Sequence, residues 1–147
     1  MAPMQTNRMG ASLFELLITL SLLGTLLVIA LPRLRTTMQV LAVRAARESA
    51  FGMFARARIV AQQQGGAEIV LDAIADRMSI RAPSGAIITE TSFASEDVDL
   101  SLDGADTVTL RYDGYGLGRM MSRTVTFTTR ESRSGLTVSS FGRVRRW

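Results

Sequence analysis

The feature that most limits what this chain can be is residues 11–31, ASLFELLITLSLLGTLLVIAL, a run with a single charge, Glu15. At about 1.5 Å per residue, a helix of that length spans about 30 Å, the thickness of a bilayer's hydrocarbon core. A secretory signal has a shorter apolar stretch that ends in small residues at its cleavage site. This run ends in Leu31-Pro32-Arg33 instead. A helix buried in a soluble core seldom stays apolar on every face for so long, so a membrane span is the reading that fits. Glu15 is then the anomaly. A carboxylate in hydrocarbon costs about 2.5–3.5 kcal/mol on insertion scales, and nothing else in the run can partner it.

A cut after Gly10 would supply the partner. It exposes a new α-amino group at Ala11, four residues before Glu15. A terminal cation and a carboxylate attract strongly in low dielectric, provided their geometry repays desolvation. Within one helix the pair can meet locally; between stacked subunits, Glu15 of an incoming chain can meet the amine of its neighbour and set the axial stagger. The alternative is a shallow Glu15 that snorkels to the interface.

Arg8-Met9-Gly10, followed by Ala11-Ser12-Leu13-Phe14-Glu15 and the apolar run, resembles the signal of type IV prepilins and pseudopilins. The resemblance implies cleavage after Gly10 by a prepilin peptidase, methylation of the new N-terminus at Ala11, and a role for Glu15 in subunit recruitment during assembly. It also makes Pro32 a helix-kinking proline just past the apolar core. Ala11 stands where the family usually has phenylalanine. The implied location is the bacterial inner membrane, crossed once, with the C-terminal part in the periplasm or outside and later incorporated into a pilus-like filament with other pilins or pseudopilins. Charge counting points the other way: the leader carries only Arg8, whereas Arg33, Arg35, Arg44 and Arg47 follow the span. The motif is preferred, because peptidase processing on the cytoplasmic face gives Gly10 its meaning.

Composition removes most enzyme classes. There is no cysteine and no histidine, and all 17 basic residues are arginine. Thiol nucleophiles, disulfides, Ser–His catalysis, the commonest metal ligands and lysine chemistry are therefore absent. No cofactor and no metal site is expected, and the chain is not read as an enzyme.

After the span, residues 34–63 keep a helical pattern. Val40, Val43, Ala46, Ala50, Phe54, Ala57 and Ala61 recur at three- and four-residue spacing, with Arg44, Arg47, Arg56 and Arg58 largely off that stripe. Gln62-Gln63-Gln64-Gly65-Gly66 closes the helix. Beyond it lie short candidate strands at 67–72, 77–82, 86–93, 98–102, 107–112, 124–129, 135–139 and 143–147. Pro83-Ser84-Gly85, Asp103-Gly104, Asp113-Gly114 and Ser134-Gly135 punctuate them as turns. The expected organisation is a leader 1–10, a membrane and assembly helix 11–31, its amphipathic continuation 32–64, and a β-rich head 65–147. The fold class is α+β, a long N-terminal helix packed on an antiparallel sheet. The order of the C-terminal half is similar to that of the H-type minor pseudopilins and FimT-like minor pilins, the GspH/FimT family.

Three local patterns carry candidate chemistry. Gly114–Gly118 contains G-x-G-x-G but lies between strands, without the following helix that would hold a phosphate, so it reads as a tight connection. Glu96, Asp97, Asp99, Asp103 and Asp106 form an acidic stretch without the D-x-D-x-D-G spacing of a calcium loop, and read as a solvated loop or edge. Arg119, Arg123, Arg130, Arg133, Arg143, Arg145 and Arg146 face only Glu131 in the last part of the chain. In a strand, Arg143 and Arg145 would project on one side with Trp147, whose ring can stack on an unpaired base. DNA is thus a candidate partner through Arg143, Arg145 and Arg146, and the resemblance adds to this, since some FimT-like pilins take up DNA through a stretch of this form. The acidic stretch of an adjacent subunit is the competing partner.

Overall fold

The computed structural model describes residues 13–119 and 122–147; Gly10 and Ala11, the expected cleavage and methylation positions, lie outside them. The chain forms two compact units that divide between Thr36 and Thr37. Helix α1, Leu13–Gln64, contributes to both.

In the first unit the helix is apolar on every side up to Leu31 but for Glu15, with Arg33 and Arg35 following, and every described residue is exposed. It is long and apolar enough to cross a membrane. Its hydroxyls are turned back on the helix: Thr19 Oγ1 donates to the Leu16 carbonyl at 2.9 Å, and Thr25 Oγ1 to that of Ser21 at 2.9 Å. Such internal bonds let polar side chains stand in hydrocarbon without an orphaned donor. Pro32 sits inside the helix. It has no N–H for the Val28 carbonyl four residues back, which is the physical basis of the kink expected there.

In the second unit the same helix becomes one-sided. Val43, Ala46, Ala50, Met53, Phe54, Ala57, Val60 and Ala61 are buried. Val40, expected on this stripe, is only half-buried, and Met53 and Val60 widen it. The alternating three- and four-residue spacing keeps these residues on one face, and the four alanines let other elements approach the helix backbone closely. The helix ends at Gln64, where Gly65 takes φ 79°, the left-handed conformation that terminates helices.

Eight strands follow: β1 Gly66–Asp72, β2 Arg77–Arg81, β3 Ile87–Ser92, β4 Asp99–Ser101, β5 Thr107–Asp113, β6 Arg123–Thr128, β7 Arg133–Val138 and β8 Val144–Arg146. They form two four-stranded antiparallel sheets, ordered β3-β2-β1-β5 and β4-β6-β7-β8. The α+β class and all eight strand positions agree with the pattern in the sequence. Alternation is clear in β5, where Val108, Leu110 and Tyr112 point inward and Thr107, Thr109 and Arg111 outward. Phe93, between β3 and β4, meets Phe127 of β6 edge to face, with centroids 5.2 Å apart at 69°. That contact ties the loop leaving one sheet to the centre of the other.

Ser134-Gly135 departs from expectation: it is not a turn but the interior of β7. A Cβ on Gly135 would lie 2.6 Å from both Cζ2 of Trp147 and the Val125 carbonyl oxygen. The indole covers the backbone where any other residue would project a side chain, so the glycine marks a close approach rather than a bend. Gly135→Ala is expected to lower stability by about 1–3 kcal/mol. Phe127→Ala should cost about 3–5 kcal/mol. Urea unfolding of the head, followed by circular dichroism, measures both.

Candidate functional surface at the C-terminal strand

The three arginines singled out in the sequence are not brought together. β8 pairs with β7 in the register Val138↔Val144, Thr137↔Arg145 and Leu136↔Arg146. Strand alternation therefore sends Arg145 to the outer face with Thr137, and Arg146 inward beside Leu136, toward α1. Arg143 precedes the strand, and its backbone N–H donates to Ser139 Oγ at 3.0 Å.

Arg146 is engaged within the head. Its guanidinium donates to Glu48 Oε2 at 2.8 Å and lies 4.5 Å over the Phe51 ring. Arg47 grips the other carboxylate oxygen, Nη2 to Glu48 Oε1 at 2.9 Å. Nη1 of Arg47 also donates to Ser134 Oγ at 3.0 Å and to the Trp147 carbonyl at 3.3 Å. Ser134 Oγ donates to the same carbonyl at 2.8 Å. The last strand is thus latched to the helix by one carboxylate and two guanidiniums. The hydrogen bond from Arg146, then that from Arg47, holds the Glu48 carboxyl below its ordinary 4.5.

Trp147 does share the outer face with Arg145, as the alternation predicted, but its ring lies across Gly135 with the Arg133 guanidinium 5.7 Å from its centroid. The ring remains half exposed. Arg133, absent from the expected binding set, joins Arg145 and Trp147 here. Nothing in the sequence could have found the Arg47–Glu48–Arg146 latch, because Arg146 lies 98 positions from Glu48.

The G-x-G-x-G loop is a tight connection between β5 and β6, as read. Asp113 Oδ1 already collects the N–H groups of Tyr115 at 3.0 Å and Leu117 at 2.9 Å, the donors a phosphate would need. A Cβ at Gly116 would stand 2.7 Å from Cγ of Arg58, so the loop closes directly on the helix. Beside it, Arg58 Nη2 donates to the Gly142 carbonyl at 3.0 Å and stacks 5.8 Å from the Tyr112 ring centroid. A cleft of about 180 Å³ opens here between Phe51, Arg58, Tyr112 and Arg143. Burial pushes the Tyr112 phenol above its ordinary 10.0.

The acidic stretch behaves as a loop and edge strand. Asp97 and Asp99, joined by Asp76, line a cleft of about 310 Å³ with Gln39 and Arg130. Asp76 Oδ1 accepts the Leu100 N–H at 2.7 Å. Among the described residues no group of three or more acidic side chains is placed to hold a metal ion. Glu15 lies in the first described turn of α1, and Pro32 within it.

Glu48→Gln is expected to loosen β8, raising amide exchange in residues 144–146. The sign of the pH dependence follows from a folded-state pKa that lies below the unfolded one. The latch contributes fully at neutral pH, weakens as pH falls below about 4.5, and is lost once pH drops under the lowered folded value. Glu48→Gln should flatten that acid limb, which stability curves at successive pH values would show.

No protein-family model and no curated protein matches the chain. Two crystal structures of the type IV minor pilin FimU from Pseudomonas aeruginosa strain PAO1 do. One is 17% identical with a TM-score of 0.57, covering 71% of this chain and 87% of that one. The other is 19% identical with a TM-score of 0.55, covering 71% and 91%. At these identities the likeness is one of fold: a long N-terminal apolar helix and an antiparallel two-sheet head, in the manner of a type IV pilin.

Proposed function

We propose that this protein is a minor pseudopilin, a structural component of a type II secretion system or related type IV pilus-like filament, cut after Gly10 by a prepilin peptidase and assembled from the inner membrane. The observation that carries this reading is the junction in one helix of an apolar segment, marked near its start by Glu15, with a head of pilin fold. Glu15 carries the helix's one acidic charge within its apolar part, where a partner is required. The Ala11 amine of a neighbouring subunit meets that need in the proposed filament. In this reading the head adds shape and surface rather than catalysis, since the sequence holds no histidine, cysteine or lysine to activate a nucleophile.

A second reading, a FimT-like pilin that binds DNA, is favoured by one observation. Arg133, Arg145 and the half-exposed Trp147 share the outer face of the second sheet, where guanidiniums and an indole can meet phosphate and base. Arg146 contributes little to it while bound to Glu48.

Mass spectrometry of the protein recovered from membranes tests the main reading. A mature chain beginning at Ala11 is expected, methylated or not, and an intact Met1 would refute it. Glu15→Ala should still insert into the membrane but be recovered in sheared filaments at about a tenth of the wild-type level or less, the loss expected when a buried charge pair is broken. For the second reading, the head alone should shift single-stranded DNA with an affinity that falls steeply with salt, and Arg133→Ala with Arg145→Ala should abolish the shift.

A further inference from the structure

The two ends of the head carry opposite charge. At the end near Gln39, the cleft is bordered by Asp76, Asp97 and Asp99 against the single cation Arg130. Glu96 continues the acidic loop and is exposed, and Ile74 beside Asp76 stands out at 77% exposure. The end near Gln62 carries three arginines, Arg58, Arg119 and Arg143, and one carboxylate, Asp113. Arg58 and Arg143 border the smaller cleft, and Arg119 lies 3.9 Å from Asp113. Gly118 N–H donates to the Phe141 carbonyl, and Gln62 Nε2 to that of Tyr115, so the loop 114–118 and the turn 139–142 form one surface with the helix. Its apolar side chains face solvent: Tyr115 is 84% exposed, Phe141 75% and Leu117 53%.

Helix rise places Gln39 and Arg58 about 30 Å apart along the head. An acidic surface and a basic aromatic surface at opposite ends of one body cannot meet within a single chain. Between copies they can, and the contact so made is head-to-tail, the kind that propagates as an open array instead of closing into a dimer. Tyrosine, phenylalanine and arginine exposed together are the residues that anchor interfaces, and complementary charge sets their orientation.

We propose that the end bearing Tyr115, Phe141, Arg119 and Arg143 docks on the end bearing Glu96, Asp97 and Asp99 of a second copy of this chain. This rests on the filament reading above and adds to the Glu15 pairing a second, independent contact between heads. The aromatic side chains supply the buried area, and the arginines meet the acidic loop. The Asp113 and Arg130 counter-charges sit inside their own clusters and leave each end with its excess.

The absence of cysteine makes the test clean. Full-length Tyr115→Cys and Asp99→Cys are produced together in membranes and oxidised. A disulfide-linked dimer is expected at about ten times the yield of either variant alone, falling as added salt shortens the screening length below its physiological value of about 8 Å. Glu96→Arg with Asp99→Arg, read through a cysteine at Ala94, should abolish it, and Arg119→Glu with Arg143→Glu in the partner copy should restore it. Cross-linking no greater than between Tyr115→Cys and a cysteine at the exposed Ile87 would overturn the proposal, as would indifference to charge reversal. Cross-linking that nuclease removes would assign the basic end to nucleic acid and also overturn it. Filament recovery separates the two levels. Filaments without the cross-link sink this contact alone, whereas a chain neither cleaved at Gly10 nor found in filaments sinks the filament reading and the contact with it.

Discussion

The seam along α1 from Val43 to Ala61 is the contact on which the head depends. Two four-stranded sheets of short strands, two of them only three residues long, have too little interior to stand by themselves. The helix supplies the missing wall. Its four buried alanines, with Met53 and Phe54, belong to the same hydrophobic cluster as the sheets. The core residues of both sheets join the helix in one continuous cluster, with Phe93 and Phe127 near its middle. Everything placed on the surface, from the Asp113 loop to the C-terminal strand, is held relative to that seam.

One helix thus carries two side-chain patterns. Up to Leu31 it is apolar on every side but for Glu15, and Thr19 and Thr25 are bonded to its own backbone, a pattern that suits hydrocarbon. From Val43 onward only one face is apolar, as a water-soluble head demands. The change of pattern is one of side-chain chemistry, within a single helix from Leu13 to Gln64 whose ladder lacks only the bond that Pro32 cannot donate.

The C-terminal strand illustrates how charged residues divide between structure and surface. Three arginines in four positions look equivalent in the sequence. Strand alternation and the register with β7 give them different tasks: Arg146 neutralises Glu48 and covers Phe51, Arg145 faces out, and Arg143 borders the cleft beside Tyr112. The surface left for a partner is smaller than the count of arginines implies, and it includes Arg133, which lies ten residues earlier.

Periodicity carried most of the architecture. The apolar run, the three-and-four stripe, the period-two strands and the glycine after Gln64 are local signals, and each is enforced by backbone geometry wherever it occurs. They determined the helix, its end, the eight strands and the α+β class. Gly135 was misread for the same reason: locally, Ser-Gly looks like a turn, and only the indole of Trp147, lying where its Cβ would be, explains a glycine within a strand. Likewise the Arg47–Glu48–Arg146 latch, the closing of the 114–118 loop on Arg58, and the segregation of acid and base to opposite ends of the head were decided by the tertiary structure. Each depends on which distant residues the sheet registers bring side by side, and no spacing along the chain encodes that.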